Sequence, residues 1–278
     1  MSGRAVILGG GGVAGIAWEI GVLHGLSESG VEPGTADAVI GTSAGSFAGT
    51  CLTAGLVKES YEAAGQSAGE EIPASMSEET LRGFEKALSH RQRDQARAAR
   101  ELATLSAETV TVSTAQRLAV VRARLPVQDW PSAKLKITAI DADTGALHLL
   151  DTTSGLSLVE AAAASGAVPG VWPVVEAGNR RWIDGGSFSA TNADLARPYA
   201  SALVIAPAPI GLHGQRTLAE EVASLRAGST TVTVMTPDEA SQAAIGSNPF
   251  DPERRAPAAR AGYDQGARQA TEITRHWP

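Results

Sequence analysis

Ala5-Val6-Ile7-Leu8-Gly9-Gly10-Gly11-Gly12 and, further on, Ala38-Val39-Ile40-Gly41-Thr42-Ser43-Ala44-Gly45 decide the fold. Each is a short apolar run that ends in small residues, the pattern of a buried strand. Between them Ile16, Ile20, Leu23 and Leu26 recur at helical spacing and stop before Gly30. Pro33-Gly34 marks a turn, and Phe47, Cys51 and Leu52 start a second helix after Gly45. Strand, turn, helix, strand, turn, helix is a unit that crosses over right-handedly and builds a parallel sheet.

The pattern continues outward. Leu135 to Ile140 reads as a strand, and Ala146 to Asp151 pairs back with it through the turn residues Asp141, Asp143, Thr144 and Gly145. Arg181-Trp182-Ile183 runs into Asp184-Gly185-Gly186, and Ala202 to Ala206 and Thr230 to Met235 are two further buried strands around a helix at Leu218 to Leu225. Residues 61–130 are less apolar and rich in charged helix formers, with helical stretches expected at Glu78 to Leu88 and Arg91 to Leu105. They read as a helical cap or insertion over the sheet, within one domain spanning 1–278 that closes with a C-terminal helix over 252–278.

Composition limits the function classes. With 23 basic and 30 acidic residues the net charge is −7, which argues against nucleic acid as a partner. One cysteine, Cys51, excludes an internal disulfide and a cysteine-rich zinc site. No apolar run approaches the roughly 20 residues that span a bilayer, and the four apolar residues after Met1-Ser2-Gly3-Arg4 make no signal peptide. A cytoplasmic protein is expected. Aromatics are 4 % of the chain against 50 alanines and 30 glycines, so the core is built from small side chains. Arg93, Arg97 and Arg100 fall on one helical face; they read as a solvated surface, with an anion-facing membrane patch as the alternative.

Three places carry chemistry. Gly41-x-Ser43-x-Gly45, between a strand and a helix, has the form of a nucleophile elbow. A serine on so tight a turn projects its oxygen above the sheet edge, near a helix N-terminus; alternatively Ser43 is simply the cap of the following helix. Gly9 to Gly12 present consecutive free amides, which bind anions. As a dinucleotide fingerprint, Gly10-x-Gly12-x-x-Gly15 requires an acidic residue at the far end of the next strand. That end is Gly41-Thr42-Ser43, and Asp37 lies at the wrong end. As an oxyanion hole the loop needs only to emerge beside Ser43, which adjacent parallel strands achieve. Asp184 ends a strand at a turn, where it can reach the same sheet edge. None of His24, His90, His148, His213 and His276 has a catalytic neighbourhood, with His213 the one held in reserve. Asp141 and Asp143 are explained by turn chemistry rather than by a metal.

These blocks, with Gly21-Val22-Leu23 and Ala164-Ser165-Gly166-Ala167-Val168-Pro169, resemble the patatin-like phospholipase family in order and spacing over residues 4–207, the 61–130 region excepted. The resemblance implies an α/β fold, a three-layer α/β/α sandwich with a mostly parallel central sheet. It implies a Ser43–Asp184 dyad, an oxyanion loop of Gly10, Gly11 and Gly12, no metal and no cofactor. The substrate would be a lipid or other acyl ester, met in transient contact with a membrane surface. The chain departs from the family at Ala14, where Arg or Lys is usual, and at Trp18, where His is frequent. The competing readings are a non-catalytic nucleotide-binding module and an α/β-hydrolase triad completed by His213 or His276.

Overall fold

The computed structural model describes residues 2–65, 71–110 and 112–277; residues 66–70 and 111 of the expected insertion lie outside the described residues. The chain opens with β1 (Arg4–Leu8), α1 (Gly12–Glu28), β2 (Ala38–Thr42), α2 (Ala44–Ala54) and α3 (Val57–Ala64). Next come α4 (Glu78–Leu88), α5 (Gln95–Thr109) and α6 (Thr114–Arg124), then β3 (Leu135–Asp141), β4 (Leu147–Leu150) and α7 (Leu158–Ser165). The remainder is β5 (Val175–Ala177), β6 (Arg180–Asp184), β7 (Ser201–Ile205), α8 (Leu218–Ala227), β8 (Thr231–Met235), α9 (Glu239–Ile245) and α10 (Arg255–His276).

The strands form one sheet in the order β5-β6-β3-β2-β1-β7-β8, with β4 also on β3. From β3 through β8 the neighbours run parallel, whereas β4 and β6 pair antiparallel with β3. Alternation along β1 divides the core. Val6 and Leu8 join the cluster containing α1, α2, α7 and α10, while Ala5 and Ile7 face α8 and the turn at Ala193–Ala196. Further along that second face, Ile140 and Ile183 pack on Phe84 and Leu102 of α4 and α5. Helices thus cover both faces, the three-layer α/β/α arrangement that the resemblance implies.

Local chemistry sets the helix ends. Capping boxes at Ser113/Gln116, Ser157/Glu160 and Thr217/Glu220 start α6, α7 and α8. Asp94 accepts the Arg97 N–H and starts α5 at Gln95. Arg91 and Arg93 therefore precede the helix, and the expected three-arginine face does not form: Arg97 pairs with Glu101 and Arg100 donates to the Asp143 carbonyl. Three short elements escaped the sequence reading, α3, β5 and α9, because three to eight residues are too few to show a period.

The abundance of small residues has a structural use at α1 and α10. A Cβ on Gly21 or Gly25 would overlap the carbonyls of Ala259 and Tyr263, and one on Gly262 would overlap that of Trp18. The two helices meet backbone to backbone. The elbow has the same character: a Cβ on Gly41 would strike the Gly45 carbonyl, and one on Gly45 the Leu8 carbonyl. Gly45→Ala is expected to cost about 3 kcal/mol in chemical denaturation, whereas Gly65→Ala, with only the Glu62 carbonyl at 3.4 Å, stays within about 0.5 kcal/mol. Equal effects would remove the close approach as the reason for glycine at 45.

Candidate active site

Ser43 and Asp184 come together through β3. Along one edge of β3, Ile137 to Ile140 pair with β4. The opposite edge is shared: Leu135 to Thr138 pair with β2, and Ala139 to Asp141 with β6. Because β2 runs parallel and β6 antiparallel to β3, their C-terminal ends meet head to head. Thr42 sits opposite Thr138 and Asp184 opposite the next residue, Ala139. The residue after Thr42 is Ser43.

Ser43 takes φ 51° and ψ −111°, a left-handed conformation that costs a side-chain-bearing residue about 1–3 kcal/mol. It occupies the cap position of α2 yet makes no side-chain cap bond, which leaves Oγ uncommitted to the helix. Neighbours hold the strained turn. The Ser43 N–H donates to Ser165 Oγ at 2.8 Å, and Ser46 Oγ donates to the Ser43 carbonyl at 2.7 Å. Asn192 donates from Nδ2 to Thr42 Oγ1 at 3.1 Å and to the Gly185 carbonyl at 3.0 Å, tying the elbow to the Asp184 turn. On the other side Asp184 N–H donates to the Ala167 carbonyl at 3.0 Å.

Asp184 is 4 % exposed. Its Oδ1 accepts the Gly186 N–H at 2.6 Å, while Oδ2 lacks a well-formed hydrogen bond among the described residues, although Ser43 lies near enough to favour the carboxylate. Burial dominates and pushes the carboxyl up to about 7, opposed by Ser43, the Gly186 amide and the Arg117 guanidinium. Arg117 is itself buried, with Nε and Nη1 unpartnered among the described residues and its Cζ 4.2 Å from the centroid of the Trp172 ring. Burial lowers it to about 9, so it stays cationic at neutral pH.

The glycine loop enters the same space. Gly10 donates its N–H to the Ala190 carbonyl at 2.7 Å, whereas those of Gly11 and Gly12 have no acceptor among the described residues. Gly12 needs its positive φ of 62°, and Pro207 leaves no room for a side chain on Gly11. The Ala14 N–H at the start of α1 is occupied by the Pro249 carbonyl at 3.0 Å, which leaves less of that helix end for a dinucleotide phosphate. Ser43, Asp184 and Gly10 to Gly12 all line one cleft of about 690 Å³, to which Met76, Leu81 and Phe84 contribute from the 61–130 region.

The histidines are elsewhere. His24 packs on Tyr61 and Tyr263, His148 meets the Trp182 ring edge-on, His90 approaches Glu101 at 3.7 Å, and His213 is exposed. The His276 side chain lies outside the described residues. Asp141 is a turn residue: the Asp143 and Thr144 amides and Arg180 hold it at about 2 despite partial burial. Among the described residues no group of His, Cys, Asp and Glu is placed to hold a metal. Cys51 is buried, and its thiol is pushed up to about 11.

The family model for patatin-like phospholipases matches residues 6–197. The chain belongs to the patatin-like phospholipase family. The matched span includes the glycine loop, Ser43 and Asp184, while α8, α9 and α10 fall beyond it. Among solved structures, the chain is similar to VipD from Legionella pneumophila, with 14 % identity and a TM-score of 0.46, covering 98 % of this chain and 67 % of VipD. It is also similar to the type III effector protein ExoU, with 15 % identity and a TM-score of 0.40, covering 97 % of this chain and 53 % of ExoU. No curated protein matches it in sequence. Family membership supports a lipid-hydrolase activity.

In this patatin-like chain, sequence reasoning missed Arg117, Asn192 and the bracing role of Ser165. Ser165 stood inside a recognisable block; the other two had no motif around them. A pH consequence follows from the carboxyl held near 7 against 3.8 when unperturbed. The folded state binds the extra proton between those values, so the stabilising effect is complete below about pH 4 and lost as pH rises through 7. Asp184→Asn is therefore expected to gain melting temperature relative to wild type between pH 4 and pH 7, then hold a constant difference. A difference independent of pH would show that Asp184 is not a strained buried carboxylate.

Proposed function

We propose that the chain is a serine acyl hydrolase that cleaves lipid esters through a Ser43–Asp184 dyad. The observation that carries this reading is the uncapped Ser43 hydroxyl, on a strained elbow, beside a buried carboxyl whose proton affinity lies near neutrality. A general base works best when its pKa is close to the working pH, and an unperturbed aspartate would be too weak.

The steps follow from these groups. Ser43 Oγ attacks the ester carbonyl carbon while Asp184 takes its proton. The carbonyl oxygen becomes an oxyanion and accepts the free N–H groups of Gly11 and Gly12, each such donor being worth about 2.7–4 kcal/mol. Gly10, whose own amide is committed to Ala190, shapes the loop. The tetrahedral intermediate collapses, the C–O bond to the alcohol breaks, and Asp184 returns the proton to the leaving oxygen. Water then adds to acyl-Ser43 by the same route in reverse, giving the free acid. The groups named need no metal or cofactor. Residues 1–278 act as one domain, with 61–130 capping the cleft. Contact with a membrane is transient and peripheral, through a cleft rim at which Ile210 is 85 % exposed.

A fluorophosphonate probe should label wild type but not Ser43→Ala, and Asp184→Asn should lose about 10³-fold in kcat. Undiminished labelling of Ser43→Ala would end the nucleophile assignment. In wild type kcat/KM should fall as pH drops below about 7, because protonated Asp184 cannot accept the serine proton. Arg117→Met should move that acid limb to higher pH, since it removes a cation that favours the carboxylate. An unmoved limb would separate Arg117 from the dyad.

A further inference from the structure

Ser43 borders two spaces. One is the cleft of about 690 Å³ that it shares with Asp184. The other is a cavity of about 20 Å³ between α1, α2 and α6, with room for one small polar group and with Arg117 and Arg124 in its lining instead of a carboxylate. Gly12, Val168 and Phe250 line both, so the two spaces adjoin at Ser43 and the glycine loop.

The two guanidinium groups of the small cavity differ. Arg124 is matched by Glu71, with bonds of 2.5 and 3.0 Å, and lies over the Phe47 ring. Arg117 has no such match. It is 2 % exposed, its Nε and Nη1 are unpartnered among the described residues, and its Nη2 makes one long bond, 3.4 Å to the Gly166 carbonyl. Trp172 and the bare backbone of Gly166 hold the group in place. Asp184 attracts it across the site without bonding to it. A buried cation with free donors is costly until an anion completes it.

The chemistry at Ser43 makes such an anion. Hydrolysis of acyl-Ser43 turns a neutral ester into a carboxylic acid, which gives its proton to solvent at neutral pH. The new carboxylate then lies at Ser43, between a like charge that lines the cleft and an opposite charge that lines the small cavity.

We infer that Arg117 and the small cavity form a carboxylate subsite that retains the acid product. The alkyl chain stays in the apolar cleft, and the carboxylate turns from Asp184 to the free N–H groups of Arg117. A fatty-acid anion thus holds the site more tightly than a neutral molecule with the same chain, and accumulated acid slows turnover. The inference rests on the reading of Ser43 as the acyl-accepting residue. It adds the means by which the product of that reaction restrains it.

The test is protection of Ser43, in the full chain, from the fluorophosphonate probe. Octanoate and octanamide have the same shape and differ in charge. Octanoate should halve the labelling rate at a concentration about tenfold lower than octanamide does. Arg117→Gln should abolish or reverse that difference, and Arg117→Lys, which restores a cation, should recover part of it. Equal protection by the two ligands in wild type overturns the inference, and this comparison needs no variant to fold. A preference for octanoate that survives in Arg117→Gln overturns it as well. Either result leaves the labelling of Ser43, and with it the acyl-accepting role, intact. Absence of labelling in wild type overturns the underlying reading instead, and the subsite with it.

Discussion

The shared edge of β3 is the constraint from which the rest of the site follows. A strand has two edges, and β4 occupies one of them. On the other, β2 ends at Thr138 and β6 ends at Ala139, arriving from opposite directions. Consecutive residues of one strand therefore set the spacing between two side chains that are far apart in sequence. Hydrogen-bonded register is a stiffer ruler than loop packing, and Thr138, Thr42 and Asn192 lock it with side-chain bonds of 3.0 and 3.1 Å. A one-residue slip on either side would turn its side chain to the opposite face of the sheet.

That arrangement is held against two local costs. Ser43 is kept at a backbone conformation it would not choose, and Asp184 is kept away from the water that would stabilise its charge. Both are bearable because the surroundings are over-determined: β2 and α2 on either side of the elbow, the Ser165 and Ser46 hydroxyls on the Ser43 backbone, and the Gly186 amide on the carboxyl. Strain and desolvation are the two features on which the proposed chemistry of the pair rests. A more comfortable version of the same turn, with Ser43 capping α2 and Asp184 solvated, would be more stable.

Much of this was legible in the sequence because the governing features are local. Short apolar runs ending in glycine located β1 and β2, and the strand-turn-helix setting located Ser43; the Asp184-Gly185-Gly186 turn located the carboxyl. What escaped notice depends on distant partners. Arg117 looks like any arginine in a charged helix, and its burial beside Trp172 arises only when α6 packs against α7. Gly10 is equivalent to Gly11 and Gly12 in sequence, and only the fold brings the Ala190 carbonyl, 180 residues on, to its amide. The three arginines of the insertion failed as a face because a capping aspartate moved the helix start. The glycines and alanines point in sequence to a core of small side chains, and several of them also let helices touch backbone to backbone.

The contact between α1 and α10 has a consequence for how the molecule is made. The glycine loop leads directly into α1, yet the backbone surface of Gly21 and Gly25 stays uncovered until α10, much later in chain order, has been synthesised. Until then the nascent chain carries a Ser43 elbow whose neighbouring helix lacks its partner. Burial of that glycine surface is thereby tied to the synthesis of α10, which follows every strand of the sheet in chain order.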